Sequence, residues 1–158
     1  MNRVSITMDG LPENISFARV AVAAFIAPLD PSVDEVSDIK TAVSEAVTNA
    51  IIHGYSGLAI ASEAKQSKPC ASTPASPAVV RLTLSHQGRA ITIEISDDGV
   101  GIADIDSARE PLFTTKAELE RSGLGFTVME SFMDSVTVES TPGQGTKVTL
   151  AKVLASPE

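Results

Sequence analysis

The sequence predicts an α+β fold in two layers, a two-layer sandwich with helices packed on one face of a mixed β-sheet. Three observations predict it. Segments of alternating polarity come in adjacent pairs, as at 79–85 and 90–96. Two long segments of helical period run back to back between positions 13 and 53. The two kinds of segment are grouped rather than strictly alternating, which argues against a parallel βαβ sheet. A chain of 158 residues, 43% hydrophobic, fits one domain spanning 1–158, with a core that needs no disulfide or metal. Aromatics are only 4%, so aliphatic side chains must fill that core.

Val4-Ser5-Ile6-Thr7-Met8 alternates as a first strand, and Asp9-Gly10 turns the chain. From about Glu13 to Ala27 the period becomes helical, with Phe17, Val20, Ala21, Ala24 and Phe25 expected on one apolar face. Asp30-Pro31-Ser32 ends that run. Ser32-x-x-Glu35 has the form of a capping box and opens a second helix that continues to about His53, with Gly54 as its stop. Residues 57–77 are rich in Ala, Ser and Pro, lack strand alternation, and read as a mobile surface insertion carrying Cys70. Val79–Ser85 and Ala90–Ser96 form a hairpin around Gln87-Gly88. An irregular stretch follows Gly101. Leu124–Met133 reads as a third helix, and two last strands, around Val136-Thr137-Val138 and Lys147-Val148-Thr149-Leu150, are joined by a turn at Pro142-Gly143-Gln144-Gly145.

The net charge of −8 makes phosphate-led nucleic-acid binding a poor fit. One cysteine leaves no intrachain disulfide and no cysteine zinc cluster, and with no secretory leader it points to a cytoplasmic setting. No apolar run reaches membrane-spanning length.

Six of the ten glycines fall into G-x-G pairs, at Gly99/Gly101, Gly123/Gly125 and Gly143/Gly145. Such glycines let a backbone approach a ligand closely. Glu45, Asn49 and His53 share one stripe of the second helix. A glutamate beside an apolar face is partly desolvated and suited to act as a base, and an amide oxygen suits a hard cation such as Mg²⁺. The same stripe also fits the polar edge of an amphipathic helix. Ile91, Ile93 and Ile95 share a strand face, and period two puts Asp97 on it, where a carboxylate needs a partner such as a purine amino group. Asp97 equally fits a turn in which its side chain bonds nearby backbone. The stretch from Arg109 through Thr115 and Lys116 to Gly123 and Gly125 runs cations, hydroxyls and glycines into a helix start, a pattern suited to phosphate and also to a solvated loop. Neither a Walker A motif nor a dinucleotide fingerprint occurs.

Taken in order, Glu45-x-x-x-Asn49, Asp97-x-Gly99-x-Gly101, Gly123-x-Gly125 and Gly143-x-Gly145-Thr146 resemble the N box and glycine boxes of the Bergerat-type ATP-binding fold shared by gyrase B, chaperone, histidine kinase and MutL ATPases. Ser16–Val20, Val43–Tyr55, Pro111–Lys116 and Leu119–Phe126 narrow the resemblance to the anti-sigma-F factor family of endospore formers, over nearly the whole chain. Residues 57–77 depart from it, since the family has a much shorter link there. The resemblance implies a dimeric, cytoplasmic serine-protein kinase that uses ATP and Mg²⁺. Such a kinase holds a sporulation sigma factor inactive and phosphorylates a serine of an anti-anti-sigma factor. It implies Glu45 as the catalytic base, Asn49 as the Mg²⁺ ligand, and Asp97 on the adenine amino group with Thr146 nearby. It further implies Gly99, Gly101, Gly123 and Gly125 around pocket and lid, Arg109, Thr115 and Lys116 on the phosphate side, and Arg19 as a partner contact. The rival readings are a nucleotide-dependent sequestering module without phosphotransfer, a general-stress anti-sigma kinase, and the catalytic module of a histidine kinase.

Overall fold

The computed structural model describes residues 1–55, 78–110 and 124–156. The expected insertion at 57–77 and the loop carrying Thr115, Lys116 and Gly123 lie outside these residues. The elements are β1 (Asn2–Asp9), α1 (Glu13–Ile26), a 3₁₀ turn (Ala27–Leu29), α2 (Val33–Ile52), β2 (Val79–Gln87), β3 (Ala90–Asp97), α3 (Ile105–Arg109), α4 (Gly125–Phe132), β4 (Ser135–Thr141) and β5 (Gly145–Val153). The five strands form one sheet in the order β1-β2-β3-β5-β4.

Every pairing in that sheet is antiparallel, which corrects the expectation of a mixed sheet. The reason lies in the connections. Asp9 at the end of β1 pairs with Val79 at the start of β2, so a crossover of two helices returns the chain to the end it left. β5 then inserts between β3 and β4 and pairs antiparallel with both. Non-local pairing of this kind leaves no mark in local alternation.

α2 begins as its sequence requires. The Ser32 hydroxyl accepts from the Glu35 N–H at 3.2 Å, and Glu35 Oε2 accepts from the Ser32 N–H at 2.8 Å, which closes the capping box. Its remaining oxygen accepts from the Ala155 N–H at 2.7 Å and fastens the C-terminal tail to the helix start. These backbone and hydroxyl donors, with the nearby Arg89 charge, leave Glu35 below the usual carboxylate range, outweighing the upward push of desolvation.

The core is aliphatic, with Val22 and Ile26 of α1, Ile39, Val43 and Val47 of α2, and Met129 of α4 over Leu82, Leu84, Ile91, Ile93, Ile95 and Leu150 of the sheet. The α1 face differs from expectation. Ala18, Val22 and Ile26 are buried, whereas Phe17 is 51% and Val20 65% exposed. The helix carries two apolar stripes, and the one with small and β-branched residues seats against α2, because close helix approach favours small side chains at the contact. α3 is a short helix inside the stretch expected to be irregular. Its N-cap Asp104 accepts from the Ser107 N–H at 3.1 Å.

Candidate nucleotide site

The site is organised along the second half of α2. Glu45 and Asn49 are half-buried and one turn apart, so their side chains emerge on the same side. The first residue of α4 lies over them. A Cβ placed on Gly125 would come 3.2 Å from Glu45 Oε2 and 3.4 Å from Asn49 Nδ2. Leu124, the N-cap, offers no side-chain bond to the first turn of α4. The N–H groups at that helix start therefore stand beside a carboxylate and an amide, in the space that a larger residue at 125 would fill.

Asp97 sits at the other end of α2. It is 5% exposed and lies on the core side of β3, as period two requires. Its Oδ1 accepts from the Gly99 N–H at 2.9 Å. The carboxylate thus bonds its own turn and is also aimed inward, as the strand parity predicts. Burial pushes its carboxyl above the ordinary range. The Gly99 and Thr146 backbone N–H groups pull it partly back, and the neighbouring Asp98 charge pushes it up again. Asp98 points the opposite way, in a two-pronged pair with Arg81 at 2.9 and 2.7 Å that holds it below the usual carboxylate range. Adjacent acids thus have opposite environments because they lie on opposite faces of one strand.

Glycines make the close approach at Asp97 possible. A Cβ on Gly54 would fall 2.8 Å from Asp97 Oδ1, and one on Gly99 would fall 2.0 Å from the Gly54 carbonyl oxygen. Gly54 follows the helix end as expected, yet its φ is not positive, so its role is to leave space rather than to reach a left-handed turn. The Gly54 carbonyl accepts from the Val100 N–H at 2.9 Å, and the Val100 carbonyl accepts from the Gly143 N–H at 2.8 Å. The first and last glycine pairs are thereby strung onto the end of α2. Gly101 adopts φ +72 beneath Thr141.

Thr146 pairs directly with Asp97 across β3 and β5. Its hydroxyl bonds Ser140 Oγ at 2.9 Å, and Ser140 also donates to the Gly145 carbonyl and accepts from the Ile102 N–H. A shallow cleft at this edge of the sheet is lined by Asp97, Thr141 and Thr146 together with Asp98, Glu139 and Lys147 of the solvent face. Sequence reasoning missed Ser140, whose bonds cross from β4 to the glycine turn and have no local signal. It also gave no role to Tyr55, the only tyrosine of the chain, whose position just past the end of α2 was a usable clue. Arg109 pairs with Glu130 of α4, with Nε donating at 3.0 Å, and so is held against that helix. His53 is exposed at the end of α2, and Arg19 is exposed on α1.

Along the helix axis, Glu45 and Gly54 are about 13 Å apart. Among the described residues no helix is long and apolar enough to cross a membrane, and no three His, Cys, Asp or Glu side chains are grouped to hold a metal. A cation at Asn49 would have one protein oxygen there and would complete its shell with phosphate and water, as suits Mg²⁺.

Residues 8–152 match the family described as "Histidine kinase-like ATPase domain", the class that this sheet and pocket define. The chain is 51% identical over 154 residues to the anti-sigma F factor of Bacillus velezensis, covering 98% of this chain and 94% of that protein. It is 49% identical over 154 residues to the anti-sigma F factor of Bacillus subtilis, with the same coverage of each. It is 48% identical over 155 residues to that of Clostridium kluyveri, covering 98% of this chain and 96% of that one. The chain belongs to the anti-sigma F factor family of histidine kinase-like ATPase domains. Among solved structures, its fold is shared by the RsbU and RsbW domains of a Mycobacterium tuberculosis protein, at TM-score 0.63 and 18% identity over 99% of this chain and 33% of that one. It is also shared by the catalytic domain of the histidine kinase ThkA, at TM-score 0.53 and 15% identity over 98% and 97% of the two chains.

Proposed function

We propose that this chain is a cytoplasmic, dimeric anti-sigma factor that binds a sporulation sigma factor in an ATP-dependent complex and phosphorylates a serine of an anti-anti-sigma protein. The observation that carries the reading is the Glu45–Asn49 pair beneath Gly125, on the helix whose end, at Gly54, abuts the buried Asp97. Asp97 accepts from the adenine amino group, with Thr146 beside it on β5 and Ser140 bonded to Thr146 from β4. Asn49 holds Mg²⁺, which neutralises phosphate charge when bound. The N–H groups at the start of α4 bind phosphate oxygens, and Thr115, Lys116 and Gly123 serve the same end.

Phosphoryl transfer depends on positioning and charge more than on covalent chemistry. Glu45 takes the proton of the incoming serine hydroxyl as its oxygen bonds the γ-phosphorus. The bond from that phosphorus to the bridging oxygen breaks, and ADP leaves with the electron pair. Arg109, paired with Glu130, orients α4 in this scheme rather than meeting phosphate directly. Exposed Arg19 and the exposed Phe17 and Val20 on α1 support that helix as a partner face.

The test combines the protein, Mg-ATP and its cognate anti-anti-sigma protein, and weighs that partner by intact mass spectrometry. One added phosphate on serine is expected. Glu45→Gln should bind ATP as the wild type does and add none. Transfer by the variant at the wild-type rate would remove Glu45 as the base. Absence of transfer by the wild type, with nucleotide and sigma factor still bound, would favour a sequestering module without phosphotransfer.

A further inference from the structure

Tyr55 is 7% exposed and directly follows the Gly54 that abuts Asp97. Its hydroxyl donates to the Val79 carbonyl at 2.6 Å and accepts from the Val79 N–H at 3.0 Å and the Asp98 N–H at 3.1 Å. A phenol has one proton to give and two lone pairs, so its capacity is fully used. All three partners are backbone groups, and they lie at the first residue of β2 and just beyond the inward carboxylate of β3. One side chain thus joins the end of α2, the start of β2 and the turn after Asp97.

Each of those bonds constrains where the Asp97 carboxylate can be. The Asp98 N–H belongs to the peptide that leaves Asp97, so the Tyr55 hydroxyl fixes the plane of that peptide. The next contact along the chain is the Gly54 carbonyl with the Val100 N–H, one residue before Tyr55 and two after Asp98. The turn from Asp97 to Val100 is therefore held on α2 from two adjacent residues, Gly54 through its backbone and Tyr55 through its side chain. Loss of the hydroxyl would leave the Asp98 N–H without its partner in a half-buried place, and the turn would shift to find another.

We propose that Tyr55 is a positioning residue for base recognition, and that it sets the discrimination between a 6-amino purine and a 6-oxo purine by fixing the Asp97 turn against α2. The proposal rests on the reading that Asp97 receives the adenine amino group. It deepens that reading by assigning specificity to a group that does not touch the base.

The experiment measures the dissociation constants of ATP and ITP for the wild type, Asp97→Asn and Tyr55→Phe by titration calorimetry. ITP presents an oxygen where ATP presents the amino group. The wild type should prefer ATP, and Asp97→Asn should abolish most of that preference. Tyr55→Phe should lower the ATP-to-ITP preference about fivefold, the effect of one lost hydrogen bond. A residue that only stabilised the fold would lower the melting temperature and leave the ratio unchanged. An unchanged ratio in Tyr55→Phe, with Asp97→Asn collapsed, overturns the proposal and leaves the adenine reading standing. An unchanged ratio in Asp97→Asn overturns both. Should Tyr55→Phe fail to fold, hydrogen exchange on the wild type decides. ATP, and not ITP, should increase protection of the Asp98 and Val79 amides together, and equal protection by the two nucleotides rejects the role.

Discussion

Asp97 carries opposing demands in one carboxylate. It accepts backbone hydrogen bonds as a carboxylate, and burial favours its protonated form. Between the ordinary aspartate value and the raised one, the folded protein keeps a proton that the unfolded chain has released. The native state binds more protons in that window, so stability falls as pH rises through it. Asp97→Asn cannot titrate. Ligand-free Asp97→Asn should therefore show a flatter melting temperature than the wild type as pH rises above about 4, and should melt no lower near neutrality. Calorimetry across that range measures it, and parallel curves for the two proteins would contradict the assignment. The inward direction of Asp97 was legible in the sequence, because Ile91, Ile93 and Ile95 fix the parity of the strand. Glu45 and Asn49 were legible for the parallel reason that helical spacing sets them on one side. Tyr55 and Ser140 were not, since each acts through backbone groups brought near by sheet pairing, and nothing adjacent in sequence marks those partners.

Among the elements, α1 shows where periodicity stops being decisive. Phe17, Val20, Ala21 and Ala24 form as regular an apolar stripe as Ala18, Val22 and Ile26, and only contact with α2 selects between them. The selection has a measurable consequence. Ile26→Ala should destabilise by about 2–5 kcal/mol, the range for emptying a buried aliphatic site, whereas Val20→Lys should stay within about 0.5 kcal/mol. Urea unfolding compares them, and equal losses would mean that both stripes are packed. α2 was read correctly at its start because a capping box is a local device, closed by Ser32 and Glu35 three residues apart. The antiparallel sheet was not foreseen, because it depends on β5 entering between β3 and β4, a choice made by long-range pairing.

For the whole molecule, a net charge of −8 means that an acidic partner is met by general repulsion. Attraction must then be local, and the exposed Arg19 supplies a cation on a helix separate from the nucleotide elements. Arg19→Glu should weaken binding of the sigma factor or the anti-anti-sigma protein at least tenfold, consistent with a like-charge contact costing several kcal/mol, and leave the ATP dissociation constant unchanged. Titration of each ligand into the variant separates the two effects, and a parallel loss of ATP affinity would show that α1 is not independent of the site.

The bond between Tyr55 and Val79 also closes a ring in the chain. The backbone departs at one residue and returns at another, and both are fastened to the same hydroxyl. The start of β2 is thereby tied to the end of α2 as well as to Asp9 of β1, so the first strand pair and the helix end move as one unit.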